Sequence, residues 1–165
     1  MNLKEFVKAL AGGMRDGMPM NTNCHIVLRN EYGSIKATRD IHNSVNPPGD
    51  KHVADRLSDV ADDAMSHMAS GTGADAGSSA TTLTTENARV ALDSTTQGTA
   101  AADNDVVYVA TFPAGTGTGT ITEAGIFNDA TTDTGDLLCY SHFTGIAKAA
   151  GDALEITWTL TCGAS

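Results

Sequence analysis

Aromatic side chains are scarce: one Trp, three Tyr and four Phe stand among 165 residues. A core therefore cannot rest on large rings and has to be assembled mostly from small and β-branched side chains. Long apolar runs are also missing. No stretch reaches the roughly 18 apolar residues of a membrane-spanning helix. Residues 1–10 mix charged and apolar side chains, unlike the unbroken apolar segment of a signal peptide. No membrane contact is expected. Cys24, Cys139 and Cys162 form an odd set without a CxxC pair, which excludes a complete intrachain disulfide framework. They read as reduced, small hydrophobes, consistent with assembly in a reducing host cytoplasm. Positive charge is in short supply as well, with ten Lys and Arg against twenty Asp and Glu and a net charge of −10. That balance argues against nucleic acid as a partner, since phosphate backbones are held by clustered Lys and Arg.

The deficit lies in the second half. Residues 90–165 hold Lys148 against nine acidic residues, whereas residues 1–60 hold eight basic and seven acidic ones. The acidic half is either a solvated face or a surface that meets a basic one on neighbouring subunits.

Catalytic and cofactor motifs are wanting in the same way. GTGADAG and AGTGTGT are Gly-rich, but neither is GxGxxG and neither carries GK[ST]. Cys24 and His25 are adjacent, so in a strand they point to opposite faces and cannot act as nucleophile and base. His42, His52, His67 and His142 lack ligand spacing, and His67 falls near the end of an expected helix, where a cation suits the dipole. Asp129, Asp133 and Asp136 could gather around a calcium ion or form a solvated acidic turn; their spacing is not that of an EF-hand. Glu123 has no acidic partner nearby in sequence and reads as a buried acceptor or a subunit contact. No enzyme, catalytic residue, metal ligand or cofactor is expected.

What the chain does have is β-pattern. In 153–161, Leu154, Ile156, Trp158 and Leu160 alternate with Glu155, Thr157, Thr159 and Thr161, the period of a half-buried strand. Runs at 120–128 and 137–143 complete an expected antiparallel meander over 120–160, with a bulge near Gly125. Further strands are expected at 106–112 and in a hairpin of 24–29 with 34–42. Arg39 falls on the more apolar face of that hairpin, which marks an edge strand or a contact surface. Residues 52–70 repeat Val53, Leu57, Val60, Ala61, Ala64, Met65 and Met68 at helical spacing, predicting one amphipathic helix over about 52–69 with Asp50 as N-cap and Gly71 as stop. Pro47-Pro48 places the preceding segment in a loop. Residues 71–79 read as flexible, 83–93 as helix or strand, and 94–104 as a polar loop.

Leu3, Phe6, Val7 and Leu10 make an apolar helical stripe ahead of a Gly-, Pro- and Asn-rich tether at 14–23. A helix this short needs a surface to dock on, either on its own domain or, as an arm, on a neighbour. The expected organisation is an arm at 1–23 and a single mainly β domain at 24–165: an antiparallel sandwich or jelly-roll-like sheet packed with one helix.

ITEAGIFN, a Gly-Asp turn, LLCYSHFTGIAK and GDALEITWTLT follow one another here, and IVLRNEYGSIKATRDIHNSV lies upstream. Over about 24–161 this resembles a pattern of tailed-bacteriophage virion proteins: E-A-G-[LI]-F-[ND], then G-x-L-L-x-x-x-x-F, then K, then G-D-x-L-x-I-x-W-x-L. Cys139 and His142 occupy variable positions of it. The resemblance implies a virion structural protein. One placement is a capsid decoration (cement) protein on the outer shell, a dimer or trimer contacting the major capsid protein, with Leu3, Phe6, Val7, Leu10 and Arg39 as contact residues. The other is a tail-associated protein: fibre, adaptor or baseplate component. A carbohydrate-binding module that uses Trp158 as a platform is a third reading, of another class.

Overall fold

Alternation around Trp158 sets the centre of the structure. The computed structural model describes residues 19–163. Among them nine strands follow in order: β1 (Met20–Arg29), β2 (Ile35–Ser44), β3 (His67–Gly71), β4 (Glu86–Ala91), β5 (Ser94–Gln97), β6 (Asp105–Phe112), β7 (Gly119–Phe127), β8 (Leu137–Lys148) and β9 (Ala153–Cys162). A single described α-helix, α1 (Pro47–Leu57), lies between β2 and β3. The chain is mainly β, with two antiparallel sheets. One has the order β2-β1-β9-β6-β5, the other β4-β3-β7-β8.

In the five-stranded sheet β9 is central, and its register aligns Cys24, Trp158 and Tyr108, then Ile26, Ile156 and Ala110, then Leu28, Leu154 and Phe112. These rows face one core, which Met68, Ile121, Ala124, Ile126, Cys139, Phe143 and Ile146 of the other sheet complete. Trp158 is fully buried, so it belongs to that core and presents no platform to a sugar. Free Cys24 and Cys139 are buried there too, and burial pushes both thiols well above the ordinary cysteine range.

The meander expected over 120–160 does not form. β7 and β8 pair with each other, but β9 crosses to the other sheet and inserts between β1 and β6. The crossing occurs at the corner 149–152, where Asp152 N–H bonds Ala149 O at 3.0 Å and Gly115 N–H bonds Ala150 O at 2.8 Å. Between β1 and β6 the chain of β9 is paired along both edges, and this outweighs a local hairpin with β8, which would pair one edge only. The irregularity expected near Gly125 resides mainly in the partner strand, since the register slips opposite 143–145 and at Leu138 of β8.

The predicted helix over 52–69 is also corrected. α1 starts at Pro47, ends at Leu57 and stops through Ser58 and Asp59, the latter with φ of +56°. Pro47 and Pro48 open it, because a first-turn residue has no helical acceptor for its N–H and proline's fixed φ is already suited to a helix. The N-cap is Asn46, not Asp50, which lies in the first turn. Gly49 lets the helix lie against β8: a Cβ there would come within 2.3 Å of Leu138 O. Residues 61–66 lack regular structure and 67–71 form β3, so Gly71 ends a strand and His67 stands in one, bonded to Ser66 Oγ at 2.8 Å. Pairing of β3 on both edges, with β4 and β7, outweighs the helical spacing of Met65 and Met68.

Three further segments differ from expectation. Met20–Asn23, read as tether, pair with β9. Residues 94–104, read as a polar loop, supply the edge strand β5 before a short 3₁₀ turn, whereas 83–93, read as helix or strand, supply the strand β4. The segment 72–85 packs Ala76, Ala80 and Leu83 over Ala69, Phe127, Leu137 and Tyr140. It therefore covers the outer face of the four-stranded sheet, and residues 123–127 of β7 are buried on both sides.

Candidate functional site

Two edges meet along one seam of the molecule. β2 ends the five-stranded sheet and β8 ends the four-stranded one, and Val45 bridges to Cys139 between them. Arg39 spans this seam: its Nε–H donates to Thr144 O at 3.3 Å and its Nη1 to Thr38 O at 2.8 Å. The edge position expected from the inward-facing arginine is therefore found, and the half-exposed guanidinium is tied to its own chain. Leu3, Phe6, Val7 and Leu10 lie outside the described residues.

A cleft of about 230 Å³ opens on the same seam, lined by His42, Asn46, Asp75, Ser78, Tyr140 and His142 among others. Asn46 organises its floor. Its Oδ1 accepts from Tyr140 N–H at 2.9 Å and its Nδ2 donates to Ser78 O at 3.2 Å. Asn43 Nδ2 donates to Tyr140 O beside it. The Tyr140 hydroxyl accepts from Ala76 N–H at 2.8 Å and faces Glu123 Oε2 at 3.4 Å. Burial first, and then the negative charges of Glu123 and Asp75, push that phenol up to about 12, so it remains protonated near neutral pH. The cleft offers polar recognition through imidazoles on two strands and a carboxylate.

Glu123 is the buried acceptor that its sequence suggested. Fully buried, its carboxylate accepts from the N–H groups of Gly73, Thr84 and Thr85 at 2.8–2.9 Å. Gly71 and Gly73 make the room, since a Cβ on either would fall within 2.5 Å of Oε1. The Gly-rich segment thus accommodates a side chain of its own fold and clasps the covering segment 72–85.

A second polar corner lies beside the tip of the β1–β2 hairpin. Asp152 accepts from Lys36 Nζ at 2.6 Å and from Ala149 N–H at 2.8 Å, and Lys148 Nζ donates to Asp152 O and Pro113 O. The Lys36 bond, then the Ala149 N–H, hold the Asp152 carboxyl below the ordinary carboxylate range. Burial draws the Lys148 ammonium below the usual lysine value, and Asp152 opposes this. A depressed carboxyl contributes stability that is full above its unfolded value of about 3.9 and is lost as pH falls through the lower folded value. Asp152→Asn is accordingly expected to melt below the parent at pH 6, with the gap closing below about pH 4; paired thermal melts across pH check this. Next to the corner, Tyr32 and Ile35 are the exposed apolar pair of the hairpin, 83% and 58% accessible, which the sequence reading did not single out.

The acidic turn separates its three aspartates. Asp129 Oδ1 accepts from Thr131 N–H at 2.6 Å, and that bond, foremost, lowers its carboxyl below the ordinary range. Asp133 is exposed with φ of +60°. Asp136 turns instead toward His52 and Asp62, and one donor atom from each of these three lies within 4.8 Å of the others. Those residues are far apart in sequence, and Asp62 reads there as the outer face of a helix, so no spacing signal announces the group.

Comparison of the chain with protein-family models, with curated proteins and with solved structures finds no match.

Proposed function

We propose that this chain is a structural protein of a tailed-bacteriophage particle, a decoration (cement) protein of the outer capsid built on an antiparallel β-sandwich with a jelly-roll-like character. The observation that carries the reading is where the resembling residues lie. Glu123 clasps the covering segment, Lys148 and Asp152 lock the corner between sheets, and Leu154, Ile156, Trp158 and Leu160 fill the core. The shared pattern is thus a recipe for a scaffold, and a scaffold shared among virion proteins serves assembly. The β2 edge with Arg39, and Tyr32 and Ile35 at the hairpin tip, supply contact surface toward the major capsid protein or further copies of the chain. Residues 1–18, with Leu3, Phe6, Val7 and Leu10, act as an arm on a neighbouring subunit. Many modest contacts repeated over a symmetric shell give avidity that no single contact provides.

Quantitative gel densitometry of purified particles tests the placement. A copy number in the hundreds, tracking the capsid lattice, is expected; a dozen or fewer copies, the stoichiometry of one or two symmetric rings, assigns the chain to the tail instead. Removal of residues 1–18, which leaves β1 whole, is expected to lower shell occupancy without lowering the melting temperature of the isolated protein. Unchanged occupancy would rule out the arm.

A further inference from the structure

His52, Asp62 and Asp136 come from three separate segments: α1, the extended stretch after it, and the loop that enters β8. The His52 ring is buried, with side-chain accessibility of 7%, and its Nδ1 lies 2.5 Å from Asp62 Oδ2, whose side chain is 16% accessible. Asn128 braces both acids from behind. Its Nδ2 donates to Asp62 Oδ1 at 2.8 Å, and its Oδ1 accepts from Asp136 N–H at 2.7 Å. The Asp136 carboxylate itself has no hydrogen-bond or ion-pair partner among the described residues, although it stands beside a second carboxylate. Of the nearby cations, Arg56 Nη1 bonds the backbone oxygen of Asp62, and Lys51 Nζ bonds Asp55 and reaches Asp136 and Asp62 only through longer-range attraction.

We infer that His52, Asp62 and Asp136 form a binding site for a divalent transition-metal ion of the zinc class. One imidazole nitrogen and two carboxylates are a mixed donor set. It suits zinc or a neighbouring transition metal better than calcium or magnesium, which take oxygen donors almost exclusively. Donors on a shared tetrahedral zinc, each at about 2.0–2.2 Å, stand roughly 3.3–3.6 Å apart, so binding moves Nδ1 and Asp62 Oδ2 apart by about 1 Å and replaces the hydrogen between them with the metal. The ion relieves the repulsion of the two carboxylates and gives Asp136 a partner. Asn128 acts as the outer brace that orients both acids. Three protein donors leave a fourth position for water or for a donor from another molecule. In this chain the metal clips α1 to the β7–β8 loop, a connection that the backbone itself does not make. The site stands independently of the virion assignment.

The test uses the full chain without an affinity tag, stripped with chelator and titrated calorimetrically with zinc chloride, calcium chloride or magnesium chloride. One zinc per chain is expected, with a rise in melting temperature of roughly 5–10 °C at zinc a hundredfold above Kd and little response to calcium or magnesium. Asp136→Asn removes a ligand whose side chain bonds nothing else and relieves its repulsion with Asp62, so the metal-free melt should not fall below that of the parent while zinc affinity falls by at least ~10-fold. His52→Gln should lose zinc as well, with its own metal-free melt as baseline. Absence of zinc uptake by the parent overturns the assignment. So does uptake of equal affinity in Asp136→Asn, which would place the metal on other histidines or the cysteines, and so does stabilisation by calcium as large as that by zinc.

Discussion

Arg89→Ala is expected to destabilise the protein by about 3–5 kcal/mol, the usual cost of orphaning one partner of a buried ion pair. Arg89 and Glu86 are each 2% accessible at the side chain. The guanidinium forks onto the carboxylate, Nε to Oε1 at 2.9 Å and Nη2 to Oε2 at 2.7 Å. Its Nη1 donates to Asp129 O and Thr134 O, and its carbon sits 3.8 Å above the centroid of the Phe127 ring. Truncation leaves a desolvated carboxylate with no counter-charge, two carbonyls without this donor and an uncovered ring. Against a total stability of about 5–15 kcal/mol for an ordinary domain, that is a large fraction. Arg89→Lys should restore only part of the loss, because an ammonium cannot reproduce the planar fork or the stack. The double variant Glu86→Gln with Arg89→Met should be more stable than Arg89→Ala, since an apolar or neutral replacement of both partners leaves no buried charge behind. Urea unfolding of the single and double variants decides the matter. A loss under about 1 kcal/mol for Arg89→Ala would show that water reaches Glu86 in solution.

That pair also shows why part of the architecture was hidden in the sequence. Glu86 and Arg89 are three apart, which in a regular strand puts them on opposite faces. The register slips where Ser70 pairs Ala88 and Gly71 pairs Glu86, and this extra residue in β4 brings both side chains to one side. Strands with one buried face were legible: the period of two in β9 identified the row of Leu154, Ile156, Trp158 and Leu160, and Arg39 on the more apolar face of the hairpin marked β2 as an edge or a contact surface. The runs at 120–128 and 137–143 were legible as strands, but their burial on both faces was not. β7 loses its alternation because the segment 72–85 covers its outer side, a tertiary event that leaves only the cluster of small residues around Gly125 as a trace. β3 was lost to a helical spacing of apolar residues that its two neighbours override. The His52, Asp62 and Asp136 group joins residues 84 positions apart, and only the placement of α1 beside β8 brings them together.

Glu123→Ala is expected to cost about 3–5 kcal/mol and to do so unevenly through the molecule. Three backbone N–H groups, from Gly73, Thr84 and Thr85, lose their acceptor at once, and the segment that covers the four-stranded sheet is held at both of its ends by those bonds. Hydrogen exchange should therefore accelerate across 72–85 before it does in β9, and limited proteolysis should cut within that segment while the five-stranded sheet stays folded. Glu123→Gln distinguishes charge from shape. One amide oxygen can still serve Gly73 and Thr85, which share Oε1, but the amide nitrogen then points at the N–H of Thr84, donor against donor. An intermediate loss, with exchange fastest near Thr84, is expected. Gly73→Ala approaches the same site from the opposite side, because its Cβ would fall 2.4 Å from Oε1 and force the carboxylate out of its cradle. If Glu123→Ala unfolds the whole chain in one transition, with 72–85 no more exposed than β9, then the clasp is part of the global core. The covering segment would then not be a separately anchored flap.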